Sequence, residues 1–257
     1  MKLAEQYVAF SSLLLKEIRR FMRIWVQTVL PAAITMTLYF IIFGNLIGSQ
    51  LNDIHGFKYI DYIVPGIILM AVINNSYANV VSSFFSAKFQ RHIEELLISP
   101  MPNYLIIIGY VAGGVARGTV VGMAVTLVSL FFVDLSVQYL WVSVTAIFLT
   151  SILFSLAGLI NAVYAKSFDD ISIIPTFVLT PLTYLGGVFY SVNMLPEFWQ
   201  NVSLINPILY MVNALRYGML GVSDIDITTA MLIICGFIAA LFTFSLYLLN
   251  RGIGIRS

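Results

Sequence analysis

YLIIIGYVAGGVARGTVVGMAVTLVSLFFV, residues 104–133, holds a single charged side chain, Arg117. An α-helix rises about 1.5 Å per residue, so roughly 20 apolar residues cross a hydrocarbon core about 30 Å thick. The stretch is long enough, and it lacks the apolar/polar alternation over about 10 residues that marks a membrane β-strand. It reads as a transmembrane helix. Stretches 24–47, 62–87, 140–165, 171–190 and 227–250 read the same way, and Arg117 is the only Asp, Glu, Lys, Arg or His inside any of the six. With 60% hydrophobic and 10% charged residues and a mean hydropathy of +0.95, against about 25% charged in soluble domains, the chain is no soluble enzyme. The expected fold is all-α, a polytopic membrane protein with six transmembrane helices.

Arg117 lies about 18 Å along its helix from Leu105, past the middle of a core about 30 Å thick. Holding a cation there costs about 2.5–3.5 kcal/mol on insertion scales, so Arg117 is expected to face protein or water. Gly114, Gly118 and Gly122 recur at every fourth position beside it, a strip of small residues that admits a second helix closely. Two roles fit Arg117: bonding carbonyls freed at a helix crossing, or contacting the anionic headgroup of a substrate. Asn74, Asn75 and Asn79, with Thr35, Thr37, Tyr39, Tyr77, Ser82, Thr126 and Asn161, either line a path or hydrogen-bond between helices.

No carboxylate falls inside the six stretches, so the chain has no evident proton relay, and energy for any work is expected from elsewhere. No carboxylate pair, His cluster or Ser–His arrangement converges there as an enzyme site would require. His92 has no second His, Cys or carboxylate at zinc-site spacing and His55 reads as equally isolated, so no metal is expected. Cys235 is the lone cysteine, which rules out an intrachain disulfide.

Lys and Arg beside the spans resist translocation. Lys2, Lys16, Arg19, Arg20, Arg23, Lys88, Arg91, Lys166, Arg251 and Arg256 fall on one side; only Lys58 and Arg216 fall on the other, beside Asp53, Asp61, Asp134, Glu197, Asp224 and Asp226. Both termini are therefore expected in the cytoplasm.

Residues 1–23 carry charge to their end and lack the isolated apolar core of a cleaved leader. Leu3, Tyr7, Phe10, Leu14 and Phe21 recur at helical intervals, which fits an interfacial helix or an ordinary basic flank. KFQRHIEELLISPMPN, residues 88–103, places Phe89, Ile93, Leu96 and Leu97 on one apolar stripe and Lys88, Arg91, Glu94 and Glu95 on the wetter flank; Pro100 and Pro102 end it. It either lies on the membrane or docks a soluble partner, and its mixed charge argues against the membrane surface. In KSFDD, residues 166–170, Asp169 and Asp170 are placed to cap the following helix, a role compatible with contact to a cytosolic partner.

Residues 180–221 form the least ordinary segment. They are too apolar for a solvated loop and too broken by Pro181, Gly186, Gly187, Pro196 and Pro207 for a straight span. Backbone of that kind at membrane depth must be buried or line a cavity, so a pair of short re-entrant helices is expected, or an interfacial hairpin. Phe189, Tyr190, Trp199 and Tyr210 would serve as interfacial anchors, and Asn206 before Pro207 marks a helix start.

The arrangement of Pro181, Gly186–Gly187, Pro196, Asn206–Pro207 and Arg216 after six spans, with FIIFGNLIG at 40–48, SFFSAKFQRHIEELL at 83–97 and SFDDIS at 167–172, resembles the type-2 ABC exporter permeases over the whole chain. The resemblance implies one transmembrane domain, 1–257, in the bacterial inner membrane: a homodimer that binds two copies of a separate ABC ATP-binding subunit and exports an amphipathic or lipid-like substrate. In it, 1–23 would be a connecting helix, 88–99 a coupling helix, and 180–221, with Pro181, Gly186, Gly187, Pro196, Asn206, Pro207 and Arg216, a re-entrant gate. ATP and Mg would be bound by the partner, and no cofactor by this chain. The absence of any Gly-Lys dipeptide, and so of a phosphate-cradling loop, agrees with that. No nucleic acid is expected as a partner. An ion-coupled carrier is the alternative, although such carriers usually place acidic groups or broken helices near the midplane.

Overall fold

The structure, a computed structural model, describes residues 2–50, 53–135 and 137–254. Arg256 and the far ends of the expected 1–257 domain lie outside the described residues, as do the side chains of 45–47 in the quoted 40–48 string. Among the described residues the chain is helical, with a single β-bridge between Ile54 and Phe57 and no strand. The helices are α1 (Leu3–Arg23), α2 (Trp25–Tyr39), α3 (Tyr59–Phe89), α4 (His92–Ile98), α5 (Asn103–Ser129), α6 (Leu140–Tyr164), α7 (Asp170–Ile174), α8 (Thr180–Leu185), α9 (Glu197–Ser203), α10 (Pro207–Leu220) and α11 (Ile227–Arg251). Among the described residues five runs are long and apolar enough to cross a membrane: Trp25–Gly44, Tyr59–Phe89, Asn103–Ser129, Leu140–Tyr164 and Ile227–Arg251.

The expected span 171–190 is realised differently. Its helical run, Asp170–Leu185, is shorter than the others and passes through a π-helical turn at Pro175–Leu179. Pro175 and Pro181 each remove a backbone donor from the ladder. Thr176 and Thr180 instead donate their hydroxyls to the carbonyls of Ser172 and Pro175. The run stops at Gly186, and Gly187 follows at φ +72, a conformation open to glycine at little cost.

The core forms around α3. In its most apolar window 83% of residues are buried, against 17% in Trp25–Gly44 and 22% in α11, so α3 is central and the other two are peripheral. The strip Gly114, Gly118 and Gly122 is the seam at which α3 and α6 meet α5. A Cβ added at Gly114 would strike Val80 and Ser155, one at Gly118 would strike Ser76 and Ser151, and one at Gly122 would strike Val72. The expected close approach occurs, with two helices sharing the groove.

A second glycine pair on α5 seats α1. The two helices run side by side in the same direction: Tyr104 OH donates to Gln6 Oε1 at 3.0 Å, Leu13 covers Gly109, and Glu17 covers Gly113. The buried residues of α1 are Leu13, Glu17 and Phe21, while Leu3 and Tyr7 of the expected stripe are exposed. Of that stripe Phe21 is buried; the face packed on α5 presents Leu13 and Glu17 instead, and much of the apolar surface of α1 points outward. A helix bordering lipid has no reason to hide its apolar side.

Candidate functional site

Three clusters carry the chemistry. The first surrounds α4. After α3 the chain turns at Arg91, which sits in the left-handed region at φ 61, and begins α4 at His92. The helix of the expected 88–99 segment is thus His92–Ile98. Ile93 is fully buried, Leu96 and Leu97 pack on the core, and Phe89 and Ile98 are exposed. Glu95 is exposed beside His92, with Oε1 4.0 Å from Nδ1. Lys88 belongs to the last turn of α3 and is engaged internally: its Nζ donates to the carbonyls of Val163 at 2.6 Å and Ala165 at 2.7 Å, which capture the orphan acceptors at the end of α6. Two cavities flank α4. One of about 660 Å³ lies between it and Ala9, Ser12, Leu13 and Lys16 of α1. The other, about 600 Å³, is walled by Lys88, Arg91, Glu94 and Lys166, together with Phe85 and Tyr164.

Asp170 adjoins this cluster. Its Oδ2 accepts from the N–H groups of Lys166 and Ser167 at 2.8 and 3.1 Å, while Ser167 Oγ accepts from Asp170 N–H at 3.2 Å. The reciprocal pair is a capping box at the start of α7. Asp170 thus takes the expected capping role, and Asp169 makes no side-chain cap.

The second cluster is a ladder along one face of α3, where Asn75, Asn79 and Ser83 recur at every fourth residue. Arg117 donates to Asn75 Oδ1 at 3.2 Å. Arg20 donates to Asn79 Oδ1 and Asn79 O at 2.8 and 2.7 Å and to Ser82 Oγ at 3.3 Å. Ser83 donates to Glu17 Oε1 at 2.7 Å, and Glu17 Oε2 lies 3.4 Å from Arg20 Nε. Glu17 is fully buried. Among the described residues, Arg117 Nε, Asn79 Nδ2 and Tyr110 OH are buried without a hydrogen-bond partner. Asn74 stands off this face, exposed. With Tyr77, Ala78, Val81 and Ser82 it lines a cavity of about 440 Å³ against Ile171–Thr176. Glu17 and Arg20 escaped the sequence reading because they lie outside the apolar stretches; the G-x-x-x-G spacing of Gly109 and Gly113 was the signal that a helix packs there.

The third cluster lies at the other end. Arg216 is fully buried, its guanidinium 3.9 Å from the centre of the Tyr62 ring, with Nη2 donating to Gly187 O at 2.8 Å. Asp224, almost as buried, accepts from Ser191 Oγ at 2.8 Å, Val192 N at 3.3 Å and Tyr62 OH at 3.4 Å, and meets His55 Nε2 at 3.2 Å. His55 is therefore not isolated. The loop at 186–191 is pressed onto α3: a Cβ at Gly66 would lie 2.5 Å from Val188 O, and Tyr59 OH donates to Phe189 O at 2.9 Å. Asn206 caps α10 as expected, accepting from Ile208 N at 3.0 Å, and also donates to Leu182 O at 2.6 Å, tying α10 to α8. Pro181, Gly186, Gly187, Asn206, Pro207 and Arg216 are thus gathered around α8 and α10, while Pro196 starts α9. Asp224 is the residue sequence reasoning missed, since nothing marks it off from the other acidic residues on its side.

Residues 8–220 match the ABC-2 type transporter family. The chain is similar to the inner membrane transport permease YadH of Escherichia coli K12, at 60% identity over 252 residues covering 98% of each chain, and equally to that of Shigella flexneri. More distantly it is similar to nodulation protein J of Rhizobium leguminosarum bv. viciae, 22% identical over 81% of each chain.

Proposed function

Because the chain belongs to the ABC-2 type transporter family, a family of transport permeases, we propose that it is the membrane half of an ATP-driven exporter of the bacterial inner membrane. In this reading it works as a homodimer with two copies of a soluble ATP-binding subunit that carries ATP and Mg. Both termini face the cytoplasm, the broken run Asp170–Leu185 completes a sixth span, and the 180–221 segment is re-entrant from outside.

The observation that carries the reading is α4: a short helix held rigidly between the ends of two long ones, with a cavity on each side. α3 and α5 are about 46 and 40 Å long, longer than a core of about 30 Å, so α4 stands clear of the hydrocarbon where a soluble subunit can reach it. Arg91, Glu94, Glu95 and Asp169 offer it polar contacts, and Lys88 and Asp170 brace them. ATP-driven closure of the partners pushes α4, and the push passes through α3 to the path beside Asn74, Asn75, Asn79 and Arg117, and on to the outer gate around Arg216. An equilibrium between two arrangements must exist for ATP to bias. An amphipathic substrate leaves at the outer leaflet.

One observation favours an ion-coupled carrier instead: Glu17 is a buried carboxylate packed against two spanning helices. It is already engaged by Ser83 and Arg20, which suits a fixed structural pair better than a group that trades protons. Co-purification with an ATPase bearing a phosphate-binding loop, and vanadate-sensitive ATPase activity of the pair in lipid, tests the proposal. Uphill transport by the purified chain alone under an ion gradient would overturn it.

A further inference from the structure

The ladder on α3 is electrically unbalanced. Glu17 pairs with Arg20, but among the described residues Arg117 hydrogen-bonds the neutral Asn75 and no carboxylate, and nearby Lys16, over the Tyr110 ring at 6.0 Å, is also a cation. Arg117 is partly accessible, while its Nε and the buried Asn79 Nδ2 lack partners among the described residues. A surplus cation and spare donors at one spot call for an anion with several acceptor oxygens.

Depth says where it comes from. Counting about 30 Å of core back from Ser129, where α5 ends, at about 1.5 Å per residue reaches Gly109, so the first turns of α5 lie beyond the hydrocarbon and Arg117 sits about 12 Å inside the inner edge, in the inner half of the core rather than past its middle as expected from Leu105. The inner leaflet is therefore the nearer one, and the side chain, pointing back toward the start of α5, snorkels toward its headgroups. We infer that Arg117, steadied by Asn75, binds the phosphate-class anionic head of an amphiphile drawn from the inner leaflet. The inference rests on the orientation proposed above and deepens it by naming the charge of the ligand. Resident phospholipid and transported amphiphile share this chemistry.

The test uses the purified full chain and native mass spectrometry with phosphatidylglycerol or phosphatidylcholine as the probe. Wild type is expected to retain the anionic lipid at least about tenfold better, Arg117→Lys to keep the preference, and Arg117→Gln to reduce it to near unity, the tenfold standing for one lost charge contact of about 1.4 kcal/mol. A wild-type chain without preference, or Arg117→Gln retaining it, overturns the inference. Should Arg117→Gln not fold, Asn75→Ala, which keeps the cation but removes its anchor, is expected to weaken the preference, and an unchanged preference counts against it. Adding the partner ATPase and ATP separates the sources: lipid released on turnover is the transported species, and lipid retained is resident. Because binding is read without transport, anion preference without ATPase coupling would sink the exporter proposal and leave this one standing.

Discussion

Arg216 Nη1 and Asp224 Oδ2 stand 3.8 Å apart, both side chains buried, with the carboxylate held back from the guanidinium by Ser191, Val192 and Tyr62. Asp224 thereby joins α3, the loop after α8 and α10 at a single point. Asp224→Ala would strand the Arg216 charge, and removing one partner of a buried pair costs about 3–5 kcal/mol. A clear drop in the melting temperature of the detergent-solubilised chain is expected, smaller for Asp224→Asn. A melting curve like that of wild type would show that the carboxylate is dispensable.

Gly113 lets α1 lie against α5, since a Cβ there would sit 2.6 Å from Glu17 Cβ. Gly113→Ala forces the helices apart at an overpacking cost of about 1–3 kcal/mol and should weaken the Arg20–Asn79 contact. Cysteines placed at Leu13 and Gly109 would cross-link more slowly in the Gly113→Ala background. Unchanged cross-linking rates would argue that α1 is held elsewhere.

Around α4 two substitutions should behave differently. Glu94→Gln with Glu95→Gln removes the charges of half-buried Glu94 and exposed Glu95 from α4 and is expected to abolish stimulation of the partner ATPase while membrane insertion is preserved. Lys88→Met removes hydrogen bonds from a charged donor, worth about 1.5–3 kcal/mol, and should lower stability as well as coupling. Full coupling in the double Glu variant would remove the docking role from α4.

Asp226 caps α11, its Oδ2 accepting from Thr229 N at 2.8 Å and Thr229 Oγ at 3.0 Å. These bonds hold its pKa below the ordinary 3.8. A depressed carboxylate stabilises the fold above that value and loses the effect as pH falls through its own lower one. Acid loosening of the start of α11 is therefore expected below pH 3.8, and Asp226→Asn should flatten that part of the pH profile in hydrogen exchange. An identical profile in the variant would assign the acid response to another group.

The sequence makes the apolar runs plain because crossing a hydrocarbon core imposes length and composition that nothing else demands. Pro181, Gly186 and Asn206 marked the irregular segment for a related reason: each has a backbone preference independent of context. Arg117 stood out by contrast with its neighbours. Glu17, Arg20 and Asp224 did not, because a charge in a polar flank looks the same whether solvated or folded inward, and only the packing of α1 on α5 or of the 186–191 loop on α3 tells the two apart. The stripe of α1 does not tell which face packs on α5 for the complementary reason, since apolar residues next to lipid carry no instruction to turn inward.

The bed on which α1 rests belongs to α3 and α5, and the ribosome makes Gly109 and Gly113 long after Leu13 and Glu17. During synthesis the first helix therefore waits at the membrane without its final neighbours, and Glu17 stays hydrated until the third long helix has been inserted. Docking of α1 onto α5 can therefore follow only after that later helix has been made.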